Sequence, residues 1–222
     1  MSEPLLARPD AVLFDLDGTL LDTEPLYTDA AQAVVGRYGK VYDWSIKKHV
    51  VGGQAEAGAA YTIAQLQLPL SVEQYLEERN RVLHELFANV PPMPGAVALV
   101  QALRAAGVRL AIATSSEREL CDRKLAPHAW VSCFEAIVCA NDPGVRMAKP
   151  APDLFLAAAR ALGVEPGRCL VVEDTPNGVK AARAAGMPVI AVVDPHMREQ
   201  DFSGALLRLD SLEQLTPAML GF

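Results

Sequence analysis

Cysteine is scarce in this chain, and the four that occur (Cys121, Cys133, Cys139 and Cys169) form no CxxC pair and have no histidine at metal-ligand spacing. That pattern argues against a zinc ribbon or a disulfide framework and predicts reduced, mostly buried thiols. Histidine is equally thin. His49, His84, His128 and His196 are scattered, so surface or packing roles are expected for them rather than metal binding. Aromatic residues make up only 6% of the chain, so Tyr42 and Trp44, close together in a helix-patterned region, are read as packing aromatics. No apolar run is long enough to cross a bilayer, because the Ala-rich stretch 96–113 is broken by Gln101, Arg104 and Arg109. The first ten residues carry Glu3 and no long apolar core, so no secretory leader is expected and a cytoplasmic location is the default. Positive charge is in deficit, with 20 Lys and Arg against 27 Asp and Glu, a formal net charge of −7. Nonspecific binding to nucleic acid or to an anionic membrane is therefore disfavoured, whereas a small anionic substrate is not, since one site can be positive in a negative molecule. No internal repeat or low-complexity segment is present, and a monomer is the expected state.

What is present is a chain of 222 residues, 51% hydrophobic, long enough for a core domain with a smaller appendage. Short apolar runs at 11–14, 108–114, 136–139, 169–174 and 188–193 have the composition of strands buried on both faces. Between the later ones, residues 95–107, 150–163 and 175–186 read as helices, each ending at a glycine (Gly107, Gly163, Gly186) suited to a left-handed C-terminal cap. Pro176 suits the first turn of its helix, where a missing N–H costs nothing. Strands alternating with helices predict an α/β fold, a doubly wound parallel sheet with a Rossmann-like core. Residues 24–90 differ, with helical spacing throughout and no convincing strand, and "VPPMPG" (90–95) closes them with a stiff junction. They are expected to form a helical cap domain inserted into a core made of 1–23 and 91–222. Helices packed directly on the sheet are the alternative.

The chemistry is concentrated at strand ends. "AVLFDLDGTLLDTEP" (11–25) places Asp15 directly after a strand, with Asp17, Gly18, Thr19 and Asp22 close behind. "VRLAIAT" runs into Thr114, Ser115 and Ser116, "CLVVED" ends in Glu173 and Asp174, and Lys149 precedes the helix of "PAPDLF". Ligands of open α/β sheets bind beyond the carboxyl ends of the strands, at a topological switch point. A single acid there is commonly a helix cap or turn former, but four polar termini converging on one edge call for another cause. Two like charges about 4 Å apart repel by roughly 4 kcal/mol at an effective dielectric near 20. Asp15, Asp17, Glu173 and Asp174 therefore need a cation or partial protonation. An all-oxygen donor set suits Mg2+ better than Zn2+, Lys149 adds a second positive charge, and such a site would hold a phosphate dianion.

The motifs "DLDGT" (15–19), "ATSS" (113–116), "KPAPDLF" (149–155) and "VVEDTPNG" (171–178) together resemble the four ordered motifs of the haloacid dehalogenase-like hydrolases. The helical insertion is similar to the mobile cap of the subgroup that contains β-phosphoglucomutase and many small phosphatases. "LLDTEPLY", "YGKVYDW", "LQLP" and "NDPGV" look closest to its pseudouridine-5'-phosphatase-like members. The resemblance implies that Asp15 is a nucleophile forming an aspartyl-phosphate, and that Asp17 serves as acid and then base. It implies that Thr114 and Lys149, with Gly18, Ser115 and Ser116 around them, hold the phosphoryl group of a small phosphorylated metabolite. It also implies that Mg2+ is bound by Asp15, the backbone carbonyl of Asp17, and Asp174, with Glu173 beside them. Dehalogenases and phosphonate-cleaving relatives lack an acid two positions after the nucleophile, so Asp17 argues against both. Lys40, Lys47 and Lys48, the lysines a Schiff base would need, are read as surface charges. The mutase pattern has a histidine where this chain has Tyr27, and a cap-loop arginine that "VVGGQAEAG" (50–58) does not supply. Hydrolysis of a sugar phosphate or nucleoside monophosphate is the expectation, with a mutase or a catalytically silent phosphate-binding module as alternatives. Glu24 and Tyr27 are candidates for substrate contact.

Overall fold

Six short runs of apolar residues form one parallel sheet in a computed structural model that describes residues 8–51 and 55–222. Two stretches read above, residues 1–7 and residues 52–54 of the arginine-free loop, lie outside the described residues. The strands are β1 (Ala11–Phe14), β2 (Arg109–Ala113), β3 (Ala136–Val138), β4 (Cys169–Glu173), β5 (Val189–Val192) and β6 (Leu207–Leu209), in the order β3-β2-β1-β4-β5-β6. Every residue of β1 and β4 is buried, as expected of central strands covered on both faces. Phe14 pairs with Ile112 on one side and with Val172 on the other, so Asp15 follows β1 level with the ends of β2 and β4. The edge strand β6 has no counterpart among the expected runs. Three residues with Arg208 exposed are too few to carry a periodic signal.

Two compact units divide the chain, one of residues up to Asp22 together with Pro91–Phe222, the other Thr23–Val90. The second is wholly helical, with α1 (Glu24–Gly36), a short α2 (Trp44–Lys47), α3 (Ala55–Leu66) and α4 (Val72–Leu86). Val34 and Val35 of α1, Ala59 of α3 and Tyr75 of α4 meet Leu68 in its own small core. Ser71 starts α4 with a reciprocal capping box, its hydroxyl accepting from Gln74 N at 3.1 Å while Gln74 Oε1 accepts from Ser71 N at 2.9 Å. Lys47 departs from the expected surface charge. Its ammonium donates to Thr28 Oγ1 at 2.7 Å and lies 3.2 Å from Glu24 Oε2, because α2 folds back beside the first turns of α1.

In the first unit α5 (Ala96–Ala105), α6 (Arg118–Leu125), α7 (Asp153–Leu162) and α8 (Pro176–Ala184) alternate with the strands. Helix α7 buries Leu154, Phe155, Ala158, Ala159 and Leu162, a stripe at helical spacing, and meets β1, β2 and β3. Each fully buried Leu or Phe there contributes about 2 kcal/mol of transfer free energy. Gly107, Gly163 and Gly186 follow α5, α7 and α8 with positive φ, and Pro176 opens α8. Among the described residues no helix is long and apolar enough to cross a membrane.

Candidate active site

Strand order decides where the polar residues meet. The chain winds outward from β1 through β2 to β3, then returns to place β4 on the other side of β1. The switch point lies between β1 and β4, and their carboxyl ends carry Asp15, Glu173 and Asp174. Asp15 continues the ladder, its N–H donating to Val172 O at 3.0 Å, which turns a nearly buried carboxylate toward β4. One oxygen of each of Asp15, Glu173 and Asp174 falls within a 4.8 Å group.

Lys149 is the countercharge. Its buried ammonium bonds Asp15 Oδ1 and donates to Glu173 Oε1 at 2.8 Å. It also lies 4.8 Å from the centre of the Phe155 ring, whose face favours a cation. Burial opposes charge on Lys149, but the Asp15 and Glu173 carboxylates outweigh it and push its pKa up. The other oxygen of Glu173 accepts from Thr175 N at 2.6 Å and from Thr175 Oγ1 at 2.9 Å. Gly178 makes room for this carboxylate, since a Cβ there would lie 1.6 Å from Glu173 Oε1.

Asp174 is held from the loop after β1. Thr19 Oγ1 donates to its Oδ1 at 2.9 Å, while the bare Cα of Gly18 faces its Oδ2. A Cβ at Gly18 would stand 2.3 Å from that oxygen, and φ of +83° disfavours any side chain. Burial, then Glu173 and Asp15, push the Asp174 pKa well above the carboxylate range. Burial also raises Asp15, to about 7, with Glu173 and Asp17 adding to it and Lys149 opposing. With all three carboxylates ionised, one ammonium would leave two uncompensated negative charges in a buried place, the deficit that the raised pKa values express. A hard divalent cation with oxygen ligands fits that deficit in both charge and donor type.

Asp17 belongs to a second constellation. Its carboxylate accepts from Ser116 Oγ at 2.8 Å and from the Lys124 ammonium at 2.6 and 2.7 Å. The Asp17 side chain stands apart from the three-carboxylate group, so only its main chain remains for the metal role the resemblance implies. Thr114 is fully buried after β2, and its Oγ1 accepts from Ser116 N at 3.0 Å. Ser115 is exposed, and the Ser116 hydroxyl is committed to Asp17 and Lys124 rather than open for phosphate.

Lys124 has no place among the residues expected from sequence. It lies on α6, a strongly polar helix whose buried face consists of Cys121, Lys124 and Leu125. A lysine at the i+3 position of an apolar stripe was the available signal. The four cysteines are free thiols, three of them buried. No histidine joins a metal-competent group among the described residues. Tyr27 stacks edge-on against Phe87 with ring centres 5.6 Å apart, Tyr42 packs on the helical core, and Trp44 is 40% exposed.

Comparison with known proteins points to one family. A probable pseudouridine-5'-phosphatase of Drosophila melanogaster is 40% identical over 225 residues, covering 100% of this chain and 97% of that protein. The fructose-1-phosphate phosphatase of Escherichia coli is 35% identical over 188 residues, covering 83% of this chain and 97% of that one. A crystal structure of CbbY from Rhodobacter sphaeroides in complex with phosphate matches with a TM-score of 0.80 at 28% identity, covering 96% of this chain and 100% of that one. A family model for haloacid dehalogenase-like hydrolases matches residues 9–186. The chain belongs to the haloacid dehalogenase-like hydrolases.

Proposed function

We propose that this protein is a Mg2+-dependent phosphatase that hydrolyses a small phosphorylated metabolite, a sugar phosphate or nucleoside monophosphate, through an aspartyl-phosphate. The observation that carries the reading is the division of two neighbouring carboxylates between two settings. Asp15 sits with Lys149 and the other acids, while Asp17, two residues on, is held by Lys124 and Ser116. A site that only docks a dianion needs neither a nucleophile nor a separately held acid.

Asp15 attacks phosphorus as its ester bond to the substrate oxygen breaks, and Asp17 gives the departing alkoxide a proton. Asp17, now a carboxylate, takes a proton from water as that water attacks the phosphorus and releases Asp15. Lys149 and Thr114 steady the phosphoryl oxygens throughout. Asp15 and Asp174, with the main-chain carbonyl of Asp17 and with Glu173 alongside, would hold Mg2+. When bound, it neutralises the clustered acids and the incoming phosphate. Relatives named for pseudouridine 5'-phosphate and fructose 1-phosphate support the substrate class. The cytoplasmic location, the monomeric state and the absence of nucleic-acid or membrane partners remain part of this proposal.

Phosphate release from a panel of phosphorylated metabolites, with Mg2+ and with EDTA, tests it. Turnover should require Mg2+ and yield free phosphate, whereas an isomeric sugar phosphate would identify a mutase. Asp15→Asn should fold normally and take up no covalent phosphate. A freshly purified Asp15→Asn enzyme that still turns over would remove Asp15 from the nucleophile's role.

A further inference from the structure

We infer that Lys124 is a positioning residue that holds the Asp17 carboxylate in place for proton transfer, an inference that rests on the function proposed above. The lysine is fully buried, which is costly for an ammonium, so its location calls for a compensating partner. That partner is Asp17, whose two oxygens lie 2.6 and 2.7 Å from the ammonium. The same nitrogen donates to Ser116 Oγ at 2.7 Å, and Ser116 donates in turn to Asp17 Oδ2 at 2.8 Å. The three groups form a closed triangle contributed by the loop after β1, the loop after β2 and α6. A carboxylate gripped at both oxygens has little freedom to rotate, and its side chain is still 23% exposed, open to a substrate oxygen or water. Lys149 does not share this work, since its ammonium faces Asp15 and Glu173 rather than Asp17. The two buried lysines thus serve two different acids, Lys149 the nucleophile and Lys124 the proton carrier.

A proton can ride on one Asp17 oxygen while the ammonium keeps hold of the other. The triangle therefore survives both steps of the reaction. In the first, the proton passes to the leaving oxygen as its bond to phosphorus breaks. In the second, Asp17 takes a proton from water as the new phosphorus–oxygen bond forms. General acid–base catalysis contributes about 10²–10⁴-fold, and misplacing a reacting group by an ångström costs about 10²-fold. Loss of Lys124 should sacrifice about 10²-fold where a proton is needed and little where it is not.

The test compares 2,4-dinitrophenyl phosphate, whose leaving group departs without a proton, with glycerol 3-phosphate, whose alkoxide needs one. The Mg2+-loaded wild type, Lys124→Met, Asp17→Asn and the double variant are assayed on both. For Lys124→Met, kcat/KM on dinitrophenyl phosphate should stay within about threefold of wild type while that on glycerol 3-phosphate falls about 10²-fold. Asp17→Asn should lose far more on glycerol 3-phosphate than on dinitrophenyl phosphate, and adding Lys124→Met to it should cost less than about threefold more on either substrate. A purely structural lysine would instead lower both substrates by one common factor, in either background. That result, or an unchanged Lys124→Met, overturns the inference. If Asp17→Asn itself shows no split, the acid–base role of Asp17 fails and this inference with it, while Mg2+-dependent phosphate release and Asp15→Asn still judge the proposed function. Should Lys124→Met not fold, Lys124→Gln takes its place. If neither variant folds while Asp17→Asn does, Lys124 is structural and the inference falls.

Discussion

Glu173 keeps its carboxylate beside Lys149 because residue 178 has no side chain. A Cβ at Gly178 would come within 1.8 Å of Glu173 Cδ as well as 1.6 Å of Oε1, distances that no small adjustment relieves. Gly178→Ala should drive Glu173 off Thr175 and Lys149, although alanine is the better helix former at an N-terminal turn. The expected result is a loss of activity of about 10²-fold and of stability by about 2 kcal/mol, read from kcat/KM and from urea unfolding. Normal activity in Gly178→Ala would mean that Glu173 is dispensable. Lys149 carries a heavier burden, since its side chain is 7% exposed between carboxylates that are 9% and 1% exposed. Lys149→Met should abolish turnover and destabilise the metal-free protein by about 3 kcal/mol, because a broken buried pair leaves its acids uncompensated. Thermal melts in EDTA check the second part, and an unchanged melt would show that the acids are already neutral without the lysine.

Elements bring these residues together by ending where they do. β1, β2 and β4 stop level with one another, so Asp15, Thr114 and Glu173 share one edge of the sheet. The loop after β1 then doubles back, Leu20 and Leu21 both donating to Leu16 O at 2.9 Å, which presents Gly18 and Thr19 to Asp174. In the helical unit the organisation is local instead. α4 has a polar composition, and its start is specified by the reciprocal bonds of Ser71 and Gln74. Ser71→Ala should cost about 1 kcal/mol of stability and leave kcat unchanged, since neither Ser71 nor Gln74 has a role in the proposed reaction. Urea unfolding followed by circular dichroism, with a parallel assay, reads both. A change in kcat without a change in stability would refute the assignment of this box as a stabilising element.

At the scale of the whole molecule, the cluster makes stability depend on pH in an unusual direction. Asp15 has its folded-state pKa raised from 3.8 to about 7, and Asp174 moves the same way, both chiefly through burial. A raised carboxyl pKa contributes stability that is fully present below the unfolded value and lost as pH rises through the folded one. The metal-free protein should therefore melt higher as pH falls from about 8 toward 5, the reverse of ordinary acid destabilisation. Lys149, shifted upward from 10.5, is charged throughout that window and adds no slope. Mg2+ requires the ionised acids, so its stabilising effect should grow from pH 5 to about 8. Asp174→Asn keeps an oxygen for Thr19 while removing one like charge. In EDTA near pH 8 it should be as stable as wild type or slightly more so, by on the order of 1 kcal/mol, while binding Mg2+ more weakly. Melting curves across pH with EDTA and with Mg2+ decide the matter. A metal-free melt that falls steadily on acidification would show that these carboxylates are already ionised and satisfied by hydrogen bonds.

The five strands up to β5, the glycine caps and the four chemical motifs were legible in the linear chain, because each depends on residue type and short spacing. Buried strands are runs of Val, Leu and Ile, helix ends at 107, 163 and 186 need glycine, Asp15, Glu173 and Asp174 stand at the ends of such runs, and Lys149 shortly precedes a helix. The pairing of one lysine with one acid was not legible. Lys124 and Asp17 are 107 positions apart, and α6 gave too weak an apolar pattern to be placed. Lys47 likewise became a packed residue only when α2 folded against α1. Gly178 stands in the "VVEDTPNG" motif, but that its missing side chain makes room for the Glu173 carboxylate follows only from the turn between β4 and α8. Sequence spacing conveys which groups a strand or helix presents, because backbone geometry is local. Which charge neutralises which is decided by the fold, because burial and ion pairing depend on neighbours the chain brings from afar.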